Sequence, residues 1–137
     1  MKERSVANKN LRPNTDIYAS VLNACAFTFG TDETKSEALS IAIDTFKECQ
    51  QRNDVVYGTF IKACNILMDT DDIRRIPMIE TSFLQCRKRG EISDFVLLEL
   101  FSSLSSRHYK ELLGHDMDGL LSVQDVPRSW SRNVAKR

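Results

Sequence analysis

The 137-residue chain has little of what breaks helices: five glycines and three prolines. Little of it therefore reads as flexible linker. No apolar run approaches the roughly 18 residues that read as a membrane span, so no membrane partner is expected. There is no net charge either. Nineteen basic residues balance nineteen acidic ones, so the basic excess with which nucleic-acid binders neutralise phosphate is missing. None of the four cysteines forms a Cys-x-x-Cys pair, which removes the usual zinc-ligand spacing. There is no glycine-rich phosphate loop, no nucleophile elbow and no paired catalytic carboxylates. Neither enzyme chemistry nor a cofactor is expected. The opening "MKERSVANKNLRPN" is polar and lacks the apolar stretch of a secretory signal.

What remains is an ordinary globular composition, 42% apolar and 28% charged, arranged with helical period. Asn14 or Thr15 caps a first helix after Pro13, with the apolar stripe Tyr18, Val21, Leu22, Cys25 and Phe29, ending near Gly30. Thr34-Lys35-Ser36-Glu37 reads as a capping box opening a second helix, with Leu39, Ala42, Ile43 and Phe46 inward, running to about Gln51. The pattern then restarts. Asn53 or Asp54 caps a helix with Tyr57, Phe60, Ile61, Cys64 and Met68 on its stripe. Pro77 is tolerated only in a first turn, so the next helix begins near Ile76. It stops at Gly90, behind the cations Arg87, Lys88 and Arg89 that a helix C-terminus favours. A weaker third hairpin follows: Ser93 or Asp94 caps "FVLLELFSSL", and Ser106 caps "RHYKELL" up to Gly114.

Two stretches nearly repeat each other. "TDIYASVLNACA" from Thr15 and "DVVYGTFIKACN" from Asp54 align at a constant shift of 39, with Tyr18, Val21, Leu22, Ala24 and Cys25 on Tyr57, Phe60, Ile61, Ala63 and Cys64. "FKECQQR" from Phe46 and "FLQCRKR" from Phe83 align at a shift of 37. A unit that cannot bury its apolar face alone must stack on its neighbour. The expected fold is all-α, a right-handed α-solenoid of antiparallel helix hairpins over residues 14–114. A polar tail (1–13) precedes it, and an irregular tail (115–137) is laid on the last hairpin with Leu120, Leu121, Val123, Val126 and Trp130 inward. All four cysteines lie on apolar stripes at repeat-equivalent positions, Cys25 with Cys64 and Cys49 with Cys86. They read as small packed hydrophobes with free thiols. Nothing in the sequence places a cysteine beside His108 or His115. "HDMDG" (His115 to Gly119) lacks the further ligands of a calcium loop and reads as a turn, not a metal site.

The repeated residues resemble the pentatricopeptide repeat. "DVVYGTFIKAC" and "DIYASVLNAC" resemble that family's first helix, and "AIDTFKEC" and "FLQCRKRG" its second. The resemblance covers roughly residues 13–94. It implies one base of single-stranded RNA bound per repeat, organelle RNA metabolism in a mitochondrion or plastid, and a partner or longer array to supply affinity. It also implies site residues. The residue after the repeat tyrosine, the residue two before it and the last residue of the repeat correspond to Ala19, Asp16 and Asn53 in the first copy. In the second they correspond to Gly58, Val55 and Asp94. Asn53 and Asp94 fit base-edge reading and Val55 fits base sandwiching. Asp16 departs from the pattern, and Ala19 and Gly58 bring no side-chain hydrogen bond. Small residues there equally fit closely packed helices. Lys62, with Asn23 and Asn65, is placed to form a thin polar stripe able to touch phosphate. Neutral charge supports the rival expectation, a protein-interaction scaffold whose groove takes a peptide or a helix.

Overall fold

The computed structural model describes residues 14–114 and 119–134. The polar N-terminal tail, residues 135–137 and most of the "HDMDG" turn lie outside them. Among the described residues the fold is all-α, with six α-helices and two short 3-10 turns. The helices are α1 (Thr15–Ala26), α2 (Asp32–Glu48), α3 (Asp54–Leu67), α4 (Arg75–Lys88), α5 (Asp94–Ser103) and α6 (Ser106–Leu113). The 3-10 turns are Val123–Asp125 and Arg128–Ser131.

Helix starts follow from local chemistry. The first N–H groups of a helix have no partner inside it. Asn14, Thr31, Asn53, Ser93 and Ser105 each accept one of them through the side chain, from Ile17, Thr34, Val56, Val96 and His108. Two caps differ from expectation. Thr31, not Thr34, caps α2, so Thr34 donates to the cap instead of being one. Ser105, not Ser106, caps α6. α4 alone starts without a side-chain cap, and Pro77 sits in its first turn, where its missing N–H leaves no gap. Asp72 fastens the turn before it by accepting the Arg74 N–H at 2.9 Å. The Arg74 guanidinium holds its carboxyl down at about 2.

α1, α3 and α5 pack side by side in that order. α2 lies against α1 and α3, α4 against α3 and α5, and α6 against α5. The repeat is visible in single bonds. Tyr57 Oη donates to Gln85 Oε1 at 3.0 Å, and its counterpart Tyr18 Oη to Glu48 Oε1 at 3.4 Å. One continuous core runs through both layers, and Cys25, Cys49, Cys64 and Cys86 are buried in it as free thiols. Burial pushes the Cys64 thiol up to about 12, and pushes those of Cys25, Cys49 and Cys86 up as well. Removing an anion from water is the cost that raises them, so these thiols are inert packing groups.

Two residues assigned to the inward stripe of α1 point elsewhere. Phe29 is 86% exposed and Val21 is 37% exposed. α1 ends at Ala26, before its period reaches Phe29. Asn65, expected on the polar stripe, is half-buried and accepts from Arg75 Nη2. Arg75 is itself buried. Its Nη2 also donates to the Ser103 carbonyl at 2.7 Å, and its Nε has no hydrogen-bond partner. One guanidinium thus ties the end of α3 to the end of α5.

The C-terminal segment fastens onto three helices. Trp130 meets Phe83 edge to face at 6.0 Å, with the Arg87 guanidinium 5.0 Å from the indole ring. The Trp130 carbonyl accepts the Ile92 N–H at 2.8 Å. Arg132 Nη2 donates to the Lys88 carbonyl at 2.8 Å, supplying a partner at the open end of α4. Tyr109 Oη on α6 accepts the Leu121 N–H at 3.2 Å. Leu121 and Val126 are buried, and Leu120 is not.

Candidate nucleic-acid interface

The family pattern places base reading on the first helices, so the geometry of α1, α3 and α5 decides what each position can do. Asn53 is the N-cap of α3. Its Oδ1 accepts the Val56 N–H at 2.9 Å, as Asn14 Oδ1 does for Ile17 at 3.0 Å. Its acceptor oxygen is therefore committed to the backbone. Asp94 opens α5, and its Oδ1 accepts the Val123 N–H at 2.9 Å, fastening the C-terminal segment. The two residues best suited by type to read base edges are both engaged in holding the fold.

Gly58 is buried. A Cβ built on it would stand 2.5 Å from Cε2 of Phe95. Phe95 on α5 occupies the position of the third copy that Val55 holds in the second, at a shift of 40. The small residue at 58 makes room for a neighbouring ring, as the close-packing reading of that position expects. Ala19, its counterpart on α1, is half-buried and packed against the core. Val55 is 43% exposed, and Asp16 is exposed.

Lys62 is held from two sides. Its Nζ lies 4.3 Å from the centroid of the Phe27 ring, at the C-cap of α1, and 3.4 Å from Asn23 Oδ1 on α1. On the other side is Glu99 of α5. Burial raises the Glu99 carboxyl above its ordinary value, and the charge of Lys62 pulls it partly back. A cation over an aromatic face and within the field of a carboxylate is already compensated. It offers a weak phosphate contact. Around it the same face exposes the apolar side chains Phe27, Val55, Ile66 and Leu98. Sequence reasoning passed over Phe27, Ile66 and Leu98. Their signal was the register itself, since Leu98 follows Ala19 and Gly58 at the equivalent position of the third copy.

The cations gather elsewhere. Arg52, Arg87, Lys88, Arg89, Arg128 and Arg132 belong to the C-terminal ends of α2 and α4 and to the segment docked there. Several of them act as capping donors: Arg89 Nη1 reaches the Gln50 carbonyl at 3.0 Å and Arg52 Nε the Phe46 carbonyl at 3.0 Å. Lys88, Arg89 and Arg132 line an open hollow with Gln85, Glu91 and Asn133. Among the described residues no group of three or more His, Cys, Asp or Glu side chains is arranged to hold a metal ion. None of their helices is long and apolar enough to cross a membrane.

No family model, no curated protein and no solved structure matches this chain; the resemblance to the pentatricopeptide repeat rests on the repeated residues alone.

Proposed function

We propose that this chain is a short pentatricopeptide-type helical-repeat module, a segment of right-handed α-solenoid, that works by protein contact through the face of its first helices. The observation that carries this reading is the make-up of that face. Phe27 at the end of α1, Val55 and Ile66 on α3 and Leu98 on α5 are exposed, the central cation Lys62 is compensated, and positions 53, 58 and 94 of the family pattern are used by the fold itself. Such a face suits the apolar stripe of a helix or an extended peptide better than a phosphate chain. The role is that of a non-catalytic adaptor. The resemblance supplies its setting, RNA metabolism in a mitochondrion or plastid.

Direct RNA binding is the second reading, and the basic corner around the end of α4 favours it. Phosphates would meet Lys88, Arg89, Arg128 and Arg132 there, with Val55 beside the one seat that Phe95 does not fill. One experiment separates the two. A photo-crosslinking residue placed at Leu98 captures a defined protein in cells, and Val55→Asp abolishes that capture. If the adduct is RNA instead, and homopolymer RNA binds with a steep salt dependence that Arg128→Glu with Arg132→Glu removes, the adaptor reading is wrong.

A further inference from the structure

The leading edge of the molecule exposes residues whose counterparts in the second copy are buried. Ile17 and Val21 are 43% and 37% exposed, while their counterparts Val56 and Phe60 are 0% and 3%. Ala24 is exposed and Thr28 half-buried, where Ala63 and Leu67 are buried. Ile17, Val21 and Ala24 form one stripe of α1, and Thr28 follows just past its end. In the second copy that stripe is covered by the preceding hairpin, since α3 packs on both α1 and α2. On the second helices the same contrast holds. Met78 lines a groove facing Ile43 and Phe46 of α2, whereas its counterpart Ile41 is exposed.

Charge sharpens the contrast. No charged residue occurs from Ile17 to Thr31, although much of α1 faces outward. α2, also partly exposed, carries seven charged residues in seventeen. A solvated helix face normally carries charge. At the C-terminal end Leu121, Val126 and Trp130 belong to a docked segment, fixed through Tyr109, Asp94 and Gly90.

We propose that this edge is a self-association surface, on which a second copy of the chain packs α1 antiparallel to α1. Two leading edges can meet only about a two-fold axis, which gives a closed pair rather than a filament. The stripe is self-compatible: with no charge in it, no like charges meet, and Ser20 and Ala24 let the helix axes approach closely. Antiparallel pairing also sets each helix N-terminus, with Asp16, beside the partner's C-terminus.

The edge is small. α1 has 12 residues and α2 has 17. At 1.5 Å rise and about 10 Å per helix this gives a face of roughly 20 by 22 Å, about 900 Å² over both copies. Stable interfaces begin near 1,200 Å², so the pair is reversible and its dissociation constant lies in the micromolar range or above.

Sedimentation equilibrium of the full chain tests this over roughly 10–500 µM, the range suited to an interface of that size. The weight-average mass should rise from 15.7 kDa towards twice that value. Val21 lies midway along the stripe, nearest the axis. Val21→Lys should weaken pairing at least about tenfold through like-charge opposition, with an unchanged circular dichroism spectrum. Val21→Glu should do the same alone, and mixing the two variants should restore the pair. A wild-type mass fixed at 15.7 kDa throughout overturns the proposal and leaves the edge to residues 1–13 or to a helix of another protein. A dimer that survives Val21→Lys overturns it as well, by placing the contact on another surface.

Discussion

Replacing Gly58 by alanine sets two effects of similar size against each other. Gly58 lies inside α3, and alanine in a helix interior is worth about 1 kcal/mol over glycine. Against this, the new Cβ would stand 2.5 Å from Phe95 Cε2 and 2.6 Å from Cδ2, distances no unstrained pair of carbons adopts. Either the helices move apart or the ring leaves. Overpacking of this kind costs about 1–3 kcal/mol. Phe95 is half-buried, and expelling its ring forfeits part of the roughly 1.5–3 kcal/mol that full burial of such a side chain supplies. The steric cost wins. Gly58→Ala should lose about 0.5–2 kcal/mol, which is a few degrees in melting temperature for a domain of this size. In a Phe95→Ala background the sign should reverse, because only the helix term remains, and Gly58→Ala should then stabilise by about 0.5–1 kcal/mol. Urea unfolding of the four proteins followed by circular dichroism yields the coupling energy directly. A stabilising Gly58→Ala with Phe95 present, or the same effect in both backgrounds, would show that the ring does not occupy the seat at Gly58.

Three further outcomes are expected. Arg75→Ala removes the donor shared by Asn65 and the Ser103 carbonyl, and should cost about 1–3 kcal/mol for each buried acceptor left unpaired; an unchanged urea midpoint would refute the clamp. The four thiols should resist a maleimide at mildly alkaline pH until denaturant is added, since burial holds the Cys64 thiol near 12; Cys64→Ala should cost about 1–2 kcal/mol in lost packing. Glu99 has a raised carboxyl in the fold, burial outweighing the pull of Lys62, so its ionised form is penalised above that raised value and the penalty is gone below the ordinary 4.5. Glu99→Gln should therefore stabilise the protein at neutral pH by a margin that shrinks on acidification through this window, and a margin that grows instead would reverse the assigned cause.

The parts of the fold that are legible in the sequence are those set by a few neighbouring residues. Asn53 and Ser93 announce themselves as caps because the bond they make spans three residues. The same logic misplaced the start of α2. Thr34 with Glu37 imitates a capping box, and only the chain path selects Thr31 three residues earlier. Periodicity found the stripe of α1 but not its boundary. It gives the direction of a face, while burial needs a neighbour. Val21 and Phe60 share a register, and one lacks the hairpin that covers the other. Arg75 gave no signal at all. Its buried clamp joins α4 to residues of α3 and α5, and nothing local distinguishes it from Arg74, which is exposed.

The candidate site was less legible for a related reason. A small residue on a first helix leaves a space, and what fills the space comes from the next repeat. At Gly58 the filler is Phe95, and the shift from 39 to 40 in the third copy hides that pairing from a fixed-period alignment. The positions therefore have meaning in pairs: Gly58 with Phe95, and Ala19 with Val55. The second pair carries the smaller side chain, and Val55 keeps 43% of its surface exposed. On the proposed reading, a ligand that enters between first helices has one open seat, at Val55, and one that is closed by an aromatic ring. A single seat cannot discriminate an RNA sequence, whereas an apolar face running on through Ile66 and Leu98 offers continuous area to a protein chain. Residue 95 lies forty positions after Val55, two before the repeat tyrosine's register, and its ring closes the space that Gly58 leaves.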